Sequence, residues 1–229
     1  MKQNVLIFGG TRGLGLALAQ HYLALGSSVT VCGRDISSLH GGTLAGQTRL
    51  HAVALDVADR QAVAQVIQSA ASWDLVLVTA GLYFNSRTQA LDQATTLELL
   101  KTNVSGLAHV LELAAQSMLR LGRGQLVAVS SVAGLLHDYP GASVYSASKR
   151  TVLSLCATYR KALAPFGVAV TAIVPGYIDT AKLRAFNGGD ASRKPFLISE
   201  GEAVQRIVRA IEQRQAVCIF PWQMRWIVA

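Results

Sequence analysis

The sequence predicts an α/β protein, a doubly wound, mostly parallel sheet of about seven strands with helices on both faces. Three observations lead there. Short apolar runs alternate with helix-spaced runs from end to end of the 229 residues. Hydrophobic residues make up 51% of the chain and charged residues 15%, which suits strands buried on both faces and argues against disorder. The first apolar run ends in a glycine-rich turn that opens directly onto a helical pattern.

Taken in order, residues 5–8 read as strand and 13–25 as helix. Residues 29–32 and 50–54 are strand-like, 60–71 helical and 75–78 strand-like. Residues 91–121 carry apolar side chains at helical spacing, as one long or interrupted helix. Strand follows over 125–130, helix over 143–164 and strand over 168–174. Ser199, with Glu202 three residues on, reads as a capping box for a helix towards Gln213, and 217–220 is a last strand. No repeat, low-complexity tract or linker divides the chain, so 1–229 reads as one domain. Residues 180–198, with Gly188-Gly189 and Pro195, read as a mobile substrate loop within it.

Composition excludes several classes. Cys32, Cys156 and Cys218 have no paired spacing, so neither a disulfide framework nor a metal site is expected, and a reducing cytoplasm is the default. No apolar run reaches the roughly 18 residues that span a bilayer. The net charge is +8, but the arginines are spread out, without the concentrated stripe that nucleic acid calls for. The apolar end, from Phe220 to Ala229, suits core packing or a subunit contact better than a membrane anchor.

Two motifs carry chemistry. The first is Gly9-Gly10-Thr11-Arg12-Gly13-Leu14-Gly15, between a strand and a helix. Glycines allow a tight turn and close approach of a ligand, and the helix start offers free N–H groups and a positive dipole end to a pyrophosphate. The second is Tyr145-Ser-Ala-Ser-Lys149. Residues four apart share a helix face, so the Lys149 ammonium is expected to pull the Tyr145 phenol below its ordinary pKa and make it an acid/base. With six tyrosines in the chain, such a pair alone could arise by chance.

The glycine spacing, Gly-x-x-x-Gly-x-Gly, together with Tyr-x-x-x-Lys, resembles the short-chain dehydrogenase/reductase family in its compact, single-domain branch. Asp56-Val57, Ala80-Gly81, Asn103, Ser130-Ser131 and Pro175-Gly176-Tyr177-Ile178-Asp179-Thr180 follow in the family's order. The resemblance implies a Rossmann-like fold and a hydride transfer between a nicotinamide cofactor and a carbonyl or alcohol. It implies Tyr145 as proton donor, Lys149 as its partner and a ribose contact, Ser131 on the substrate oxygen, and Asn103 holding a relay water. Ser130 competes with Ser131, but neighbours on a strand face opposite ways, and the family position favours Ser131. By the same resemblance Gly9, Thr11, Arg12, Gly13, Leu14 and Gly15 line the phosphates. Asp56 and Val57 meet the adenine, Pro175, Ile178 and Thr180 the nicotinamide end, and Ala80, Gly81 and Gly176 also bind the coenzyme. A homodimer or homotetramer is implied through the long helix.

The acid that binds an NAD ribose is expected near Gly33 and is absent there. Arg34 and Arg12 stand ready for a 2′-phosphate, so NADP(H) is preferred, with NAD(H) possible. Asp35 suits a cap, and Asp56 could be one too. Two departures stand out. Val78-Thr79 replaces the family's paired asparagines, and the stretch from Ser131 to Tyr145, with His137, Asp138, Tyr139 and Pro140, is one residue longer than is usual in the family. Tyr83, Phe84, Leu135, Leu136, Tyr177 and Phe186 make an apolar, aromatic pocket, fit for a hydrophobic carbonyl or alcohol. The alternative is a non-catalytic NADP(H)-binding sensor on the same fold.

Overall fold

The computed structural model describes residues 2–40, 44, 46–83, 92–136 and 143–224. Phe84, the segment from His137 to Pro140 and the last five residues lie outside them, as does the start of the 91–121 run.

The first strand sets the architecture. β1 (Asn4–Phe8) alternates, sending Leu6 and Phe8 into one apolar cluster and Val5 and Ile7 into another, on opposite faces of the sheet. Both faces therefore need helices. α1 (Gly13–Ala24) covers the second face, burying Leu18, Tyr22 and Leu23. β2 (Ser28–Gly33), the short α2 (Ser37–His40) and β3 (Leu50–Ala54) follow, then α3 (Arg60–Gln68), capped by the Asp59 carboxylate on Gln61 and Ala62 N–H. β4 (Leu75–Val78) returns to lie against β1.

The long helical run is α4 (Gln93–Leu100), a π-helical turn over Lys101–Gly106 and α5 (Leu107–Leu121), joined without a break. α5 buries Leu107, Val110, Leu111, Ala114, Ala115 and Met118, a stripe at helical spacing, and ends at left-handed Gly122. β5 (Gly124–Val129), a 3₁₀ turn (Val132–Gly134), α6 (Val144–Leu163) and β6 (Val168–Pro175) complete the first cluster. β7 (Ile178–Asp179), α7 (Ala181–Ala185), β8 (Ile198–Ser199), α8 (Glu200–Glu212) and β9 (Val217–Phe220) close the chain. The Ser199 hydroxyl accepts from Glu202 N–H, and α8 buries Val204, Ile207 and Ile211 against the second face.

The main sheet has seven parallel strands in the order β3-β2-β1-β4-β5-β6-β9, as the alternation predicts. Strand order reverses between β1 and β4, which leaves a crevice at their carboxyl ends. One expectation changes. The 180–198 segment is not a plain loop. Thr180 caps α7, accepting from Leu183 N–H, and Ile178 pairs in parallel with Ile198 in a small second sheet. As expected, the described residues of the chain end are core in part, since Phe220 and Met224 are buried while Trp222 is exposed. Among the described residues no helix is long and apolar enough to cross a membrane.

Candidate active site

The glycine loop, Gly81, Ser131, Tyr145, Lys149 and the segment from Pro175 to Thr180 lie along the carboxyl ends of β1, β4, β5 and β6, while Arg34 follows β2 and Asp56 follows β3. Tyr145 and Lys149 sit in the first turns of α6, where the Ser143 hydroxyl accepts from Ser146 N–H and starts the helix. The Lys149 ammonium is 5.8 Å from the Tyr145 ring centre and donates to the Val129 carbonyl at the end of β5 (3.0 Å). The Ser130 hydroxyl donates to the Lys149 carbonyl (2.7 Å) and is buried, so Ser130 fastens α6 to β5. Ser131, the next residue, points the other way. It accepts from Ala133 N–H, and its hydroxyl bonds the Tyr145 phenol.

The π turn puts Asn103 beneath this pair. Its Oδ1 accepts from Leu82 N–H (2.7 Å), and its Nδ2 donates to the Leu82 carbonyl (3.0 Å) and to the Ser148 hydroxyl (3.1 Å). Ser148 in turn donates to the Tyr145 carbonyl (2.7 Å). Only 2% of Asn103 is exposed. Ser148 escaped the sequence reading; its only signal there is its place one residue before the lysine. A Cβ on Gly81 would lie 3.2 Å from the Lys149 ammonium and 3.4 Å from Asn103 Oδ1, so a side chain there would crowd both.

Electrostatics overturn the expected effect of Lys149 on Tyr145. Burial pushes the phenol up to about 12, opposed by the Ser131 hydrogen bond and helped by Coulombic repulsion from the Tyr83 and Tyr177 phenols. Burial also pulls Lys149 down to about 8, with the nearby Lys182 ammonium adding to the shift. Both groups are driven towards their neutral forms, because desolvation outweighs a cation held at this distance.

The aromatic wall is assembled from three segments. Tyr83 packs edge-on against Tyr145, with ring centres 4.9 Å apart, and against Phe186, 5.3 Å apart. Tyr177 lies under the Lys194 ammonium, 5.4 Å from its ring. Leu135 and Leu136 are half-buried, and the Leu136 carbonyl is held by Arg150 (2.8 Å).

At the other end of the crevice the glycines divide their work. A Cβ on Gly9 would fall 2.4 Å from the Ala80 amide, and one on Gly15 would fall 2.2 Å from the Gly9 carbonyl. Those two let the loop close on itself and on β4. Gly13 faces open space, with only Glu200 Oε1 near it, at 3.9 Å from such a Cβ. Close approach of a ligand therefore falls to Gly13, at the start of α1, whose N-cap Arg12 makes no side-chain cap bond. Leu14, the next residue, is half-buried against the second cluster. Thr79 donates to the Phe8 carbonyl (3.1 Å), which also accepts from Thr79 and Ala80 N–H, so Thr79 ties β4 to β1.

The Thr11 side chain would lie 2.6 Å from a Cβ on Gly33, so an acid at 33 would collide with it. Arg12 and Arg34 are both exposed, and Arg34 pairs with Glu98 at 2.9 Å. Asp35 accepts from Ser37 N–H and its hydroxyl, a local cap. Asp56 accepts from Ala58 N–H, while the cap of α3 is Asp59 rather than Asp56. Val57 packs under Gly106. Pro175 and Gly176 are fixed by β9, with Gly176 N–H donating to the Phe220 carbonyl (2.7 Å). Ile178 is held by β8, and capping uses an acceptor lone pair of the Thr180 hydroxyl, leaving its proton to give. The donor set suits a nucleotide with phosphates, with an open helix start, a glycine facing space and two exposed guanidinium groups. Among the described residues no cluster of three or more His, Cys, Asp or Glu could hold a metal.

Comparison with known proteins agrees with this geometry. The family model described as short chain dehydrogenase matches residues 3–190. The chain belongs to the short-chain dehydrogenase family. An uncharacterized oxidoreductase of Myxococcus xanthus is 31% identical, over 97% of this chain and 88% of its own. A sulfoacetaldehyde reductase of Chromohalobacter salexigens is 33% identical, over 83% of this chain and 78% of its own. A short-chain dehydrogenase of Burkholderia cenocepacia, solved in complex with NADP, superposes with a TM-score of 0.84 at 24% identity, over 99% of this chain and 91% of that one. As a short-chain dehydrogenase, the protein is an oxidoreductase by family, and its fold is that of its solved neighbours.

Proposed function

We propose that this short-chain dehydrogenase interconverts a carbonyl and an alcohol on a hydrophobic small molecule, with NADP(H) as coenzyme and Tyr145 as proton donor and acceptor. The observation that carries this reading is the Ser131–Tyr145–Lys149 arrangement, with a phenol bonded to one hydroxyl and backed by a buried ammonium. When bound, the dinucleotide supplies or accepts the hydride. Tyr145, raised to about 12, is protonated at neutral pH, the form that can give a proton to a carbonyl oxygen. Ser131 can donate to the same oxygen as it gains charge. Lys149 sits where its field favours the phenolate once a proton has left, and Asn103 with Ser148 holds the turn that carries Tyr145.

The NADP(H) preference rests on Arg12 and Arg34, with no acid able to fit at Gly33. The residues that would hold the coenzyme are Arg12, Gly13 and Arg34 at the phosphates, Asp56 and Val57 at the adenine, Gly81 and Lys149 at the ribose, and Ile178 and Thr180 at the nicotinamide end. The wall of Tyr83, Leu135, Leu136, Tyr177 and Phe186 supports an apolar substrate. Assembly as a homodimer or homotetramer through the Gln93–Leu121 helix belongs to the same reading and is read by light scattering.

Tyr145→Phe tests it. The variant is expected to bind NADPH as wild type does and to lose reductase activity by at least about a hundredfold across a panel of ketones and aldehydes. A variant that keeps wild-type turnover sinks the assignment. A wild type that binds NADPH yet reduces nothing favours the sensor.

A further inference from the structure

Lys182 entered no expectation, and the family resemblance gave it no role. It is the second residue of α7, directly beyond the cap residue Thr180. Its carbonyl accepts from Phe186 N–H (3.1 Å), so Lys182 and Phe186 lie one turn apart on a shared face. Phe186 fixes which face that is, because its ring meets Tyr83 at 5.3 Å and Tyr83 meets Tyr145 at 4.9 Å. The face carrying Lys182 is therefore laid over the crevice, with Phe186 at the substrate end.

The charges around Lys182 locate its other end. Desolvation and then the Arg12 and Arg34 guanidinium groups hold its ammonium below the ordinary lysine value, and Lys149 feels Lys182 in turn. Lys182 thus lies within electrostatic reach of Arg12, Arg34 and the catalytic lysine. Among the described residues, acids offset this group only in part. Glu98 pairs with Arg34, and Asp179 pairs with Arg184, both at 2.9 Å. Meanwhile Glu200 Oε1, buried and without a hydrogen-bond partner, lies against Gly13. A pyrophosphate at Gly13 meets that carboxylate as well as the helix dipole, so an added cation has something to offset.

We propose that Lys182 is a coenzyme-binding residue whose ammonium pairs with the dinucleotide pyrophosphate, closing α7 over the crevice from the coenzyme side. The inference rests on the dinucleotide reading of the site given above. It assigns a phosphate contact to α7 and part of the substrate wall to Phe186, the residue that ends it.

The test is fluorescence titration of NADPH and of NADH into wild type, Lys182→Gln, Lys182→Met and Lys182→Arg at low ionic strength. Both neutral variants are expected to bind NADPH and NADH more weakly by about tenfold, and Lys182→Arg to stay within about threefold of wild type. Because the residue is exposed, their melting temperatures are expected to match wild type, which separates lost binding from lost folding. Wild-type binding with unchanged neutral variants overturns this inference alone. A loss confined to NADPH also overturns it, since that moves the contact to the 2′-phosphate. A wild type that binds neither nucleotide overturns the reading of the site and the inference with it.

Discussion

Lys149 keeps its ammonium in the floor between β5 and Gly81, where 6% of the residue is exposed and the Val129 carbonyl accepts from it. Its folded pKa, about 8, lies below the 10.5 of an ordinary lysine. The unfolded chain therefore holds the extra proton between about pH 8 and 10.5, and the lysine's cost to folding shrinks as pH rises through that window. Lys149→Met is accordingly expected to stabilise the coenzyme-free protein at pH 7 by about 2 kcal/mol, after the lost hydrogen bond is counted. That gain should fade towards pH 10, as read by denaturant unfolding of both proteins across pH; a difference that stays flat with pH would refute it. The site's residue types were legible in the sequence, and so was the division between Ser130 and Ser131, because strand alternation sends neighbours opposite ways. The direction of the Tyr145 shift was not. Helical spacing reports that a cation is near, whereas burial is set by packing between segments distant in sequence, among them Tyr83, whose ring centre lies 4.9 Å from that of Tyr145.

Among the elements, the run from Gln93 to Leu121 was readable as helix from its apolar spacing, but its π turn was not. An extra residue per turn has no hydrophobic signature; the Leu82 backbone and the Ser148 hydroxyl hold the Asn103 end of it. Asn103→Ala removes three hydrogen bonds and leaves the Leu82 amide without its acceptor. A loss of about 2–4 kcal/mol follows from one lost network and one stranded donor. The Leu82 amide should exchange its hydrogen faster than in wild type, and protection equal to wild type would show that the turn does not depend on Asn103. α7 escaped sequence reading for a different reason. Five residues are too few to show a period, and its start depends on the Thr180 cap and on Asp179 reaching Arg184. Thr79 shows a substitution absorbed locally. The Phe8 carbonyl already takes two backbone donors, so the threonine hydroxyl adds a third tie between β1 and β4.

On the scale of the whole molecule, strand–helix alternation and an apolar first strand were enough to foresee a parallel sheet with covered faces, and the reversal between β1 and β4 places the crevice. The sequence could not show how its +8 net charge is disposed there. Arg34 meets Glu98 across 64 positions, from the end of β2 to α4. Both side chains are about half exposed, so the pair contributes no more than about 1 kcal/mol. It nonetheless competes for the guanidinium that a 2′-phosphate would engage. Glu98→Gln frees Arg34 and removes a negative charge beside that position. NADPH is then expected to bind roughly threefold more tightly, a gain sized by an exposed ion pair, while NADH, which lacks the 2′-phosphate, keeps its affinity. Raising the ionic strength should shrink the NADPH gain, because exposed charges are screened within about 10 Å at 0.1 M salt. Equal gains for both nucleotides would place Glu98 near the shared pyrophosphate instead, and no gain for either would take Arg34 out of coenzyme selection.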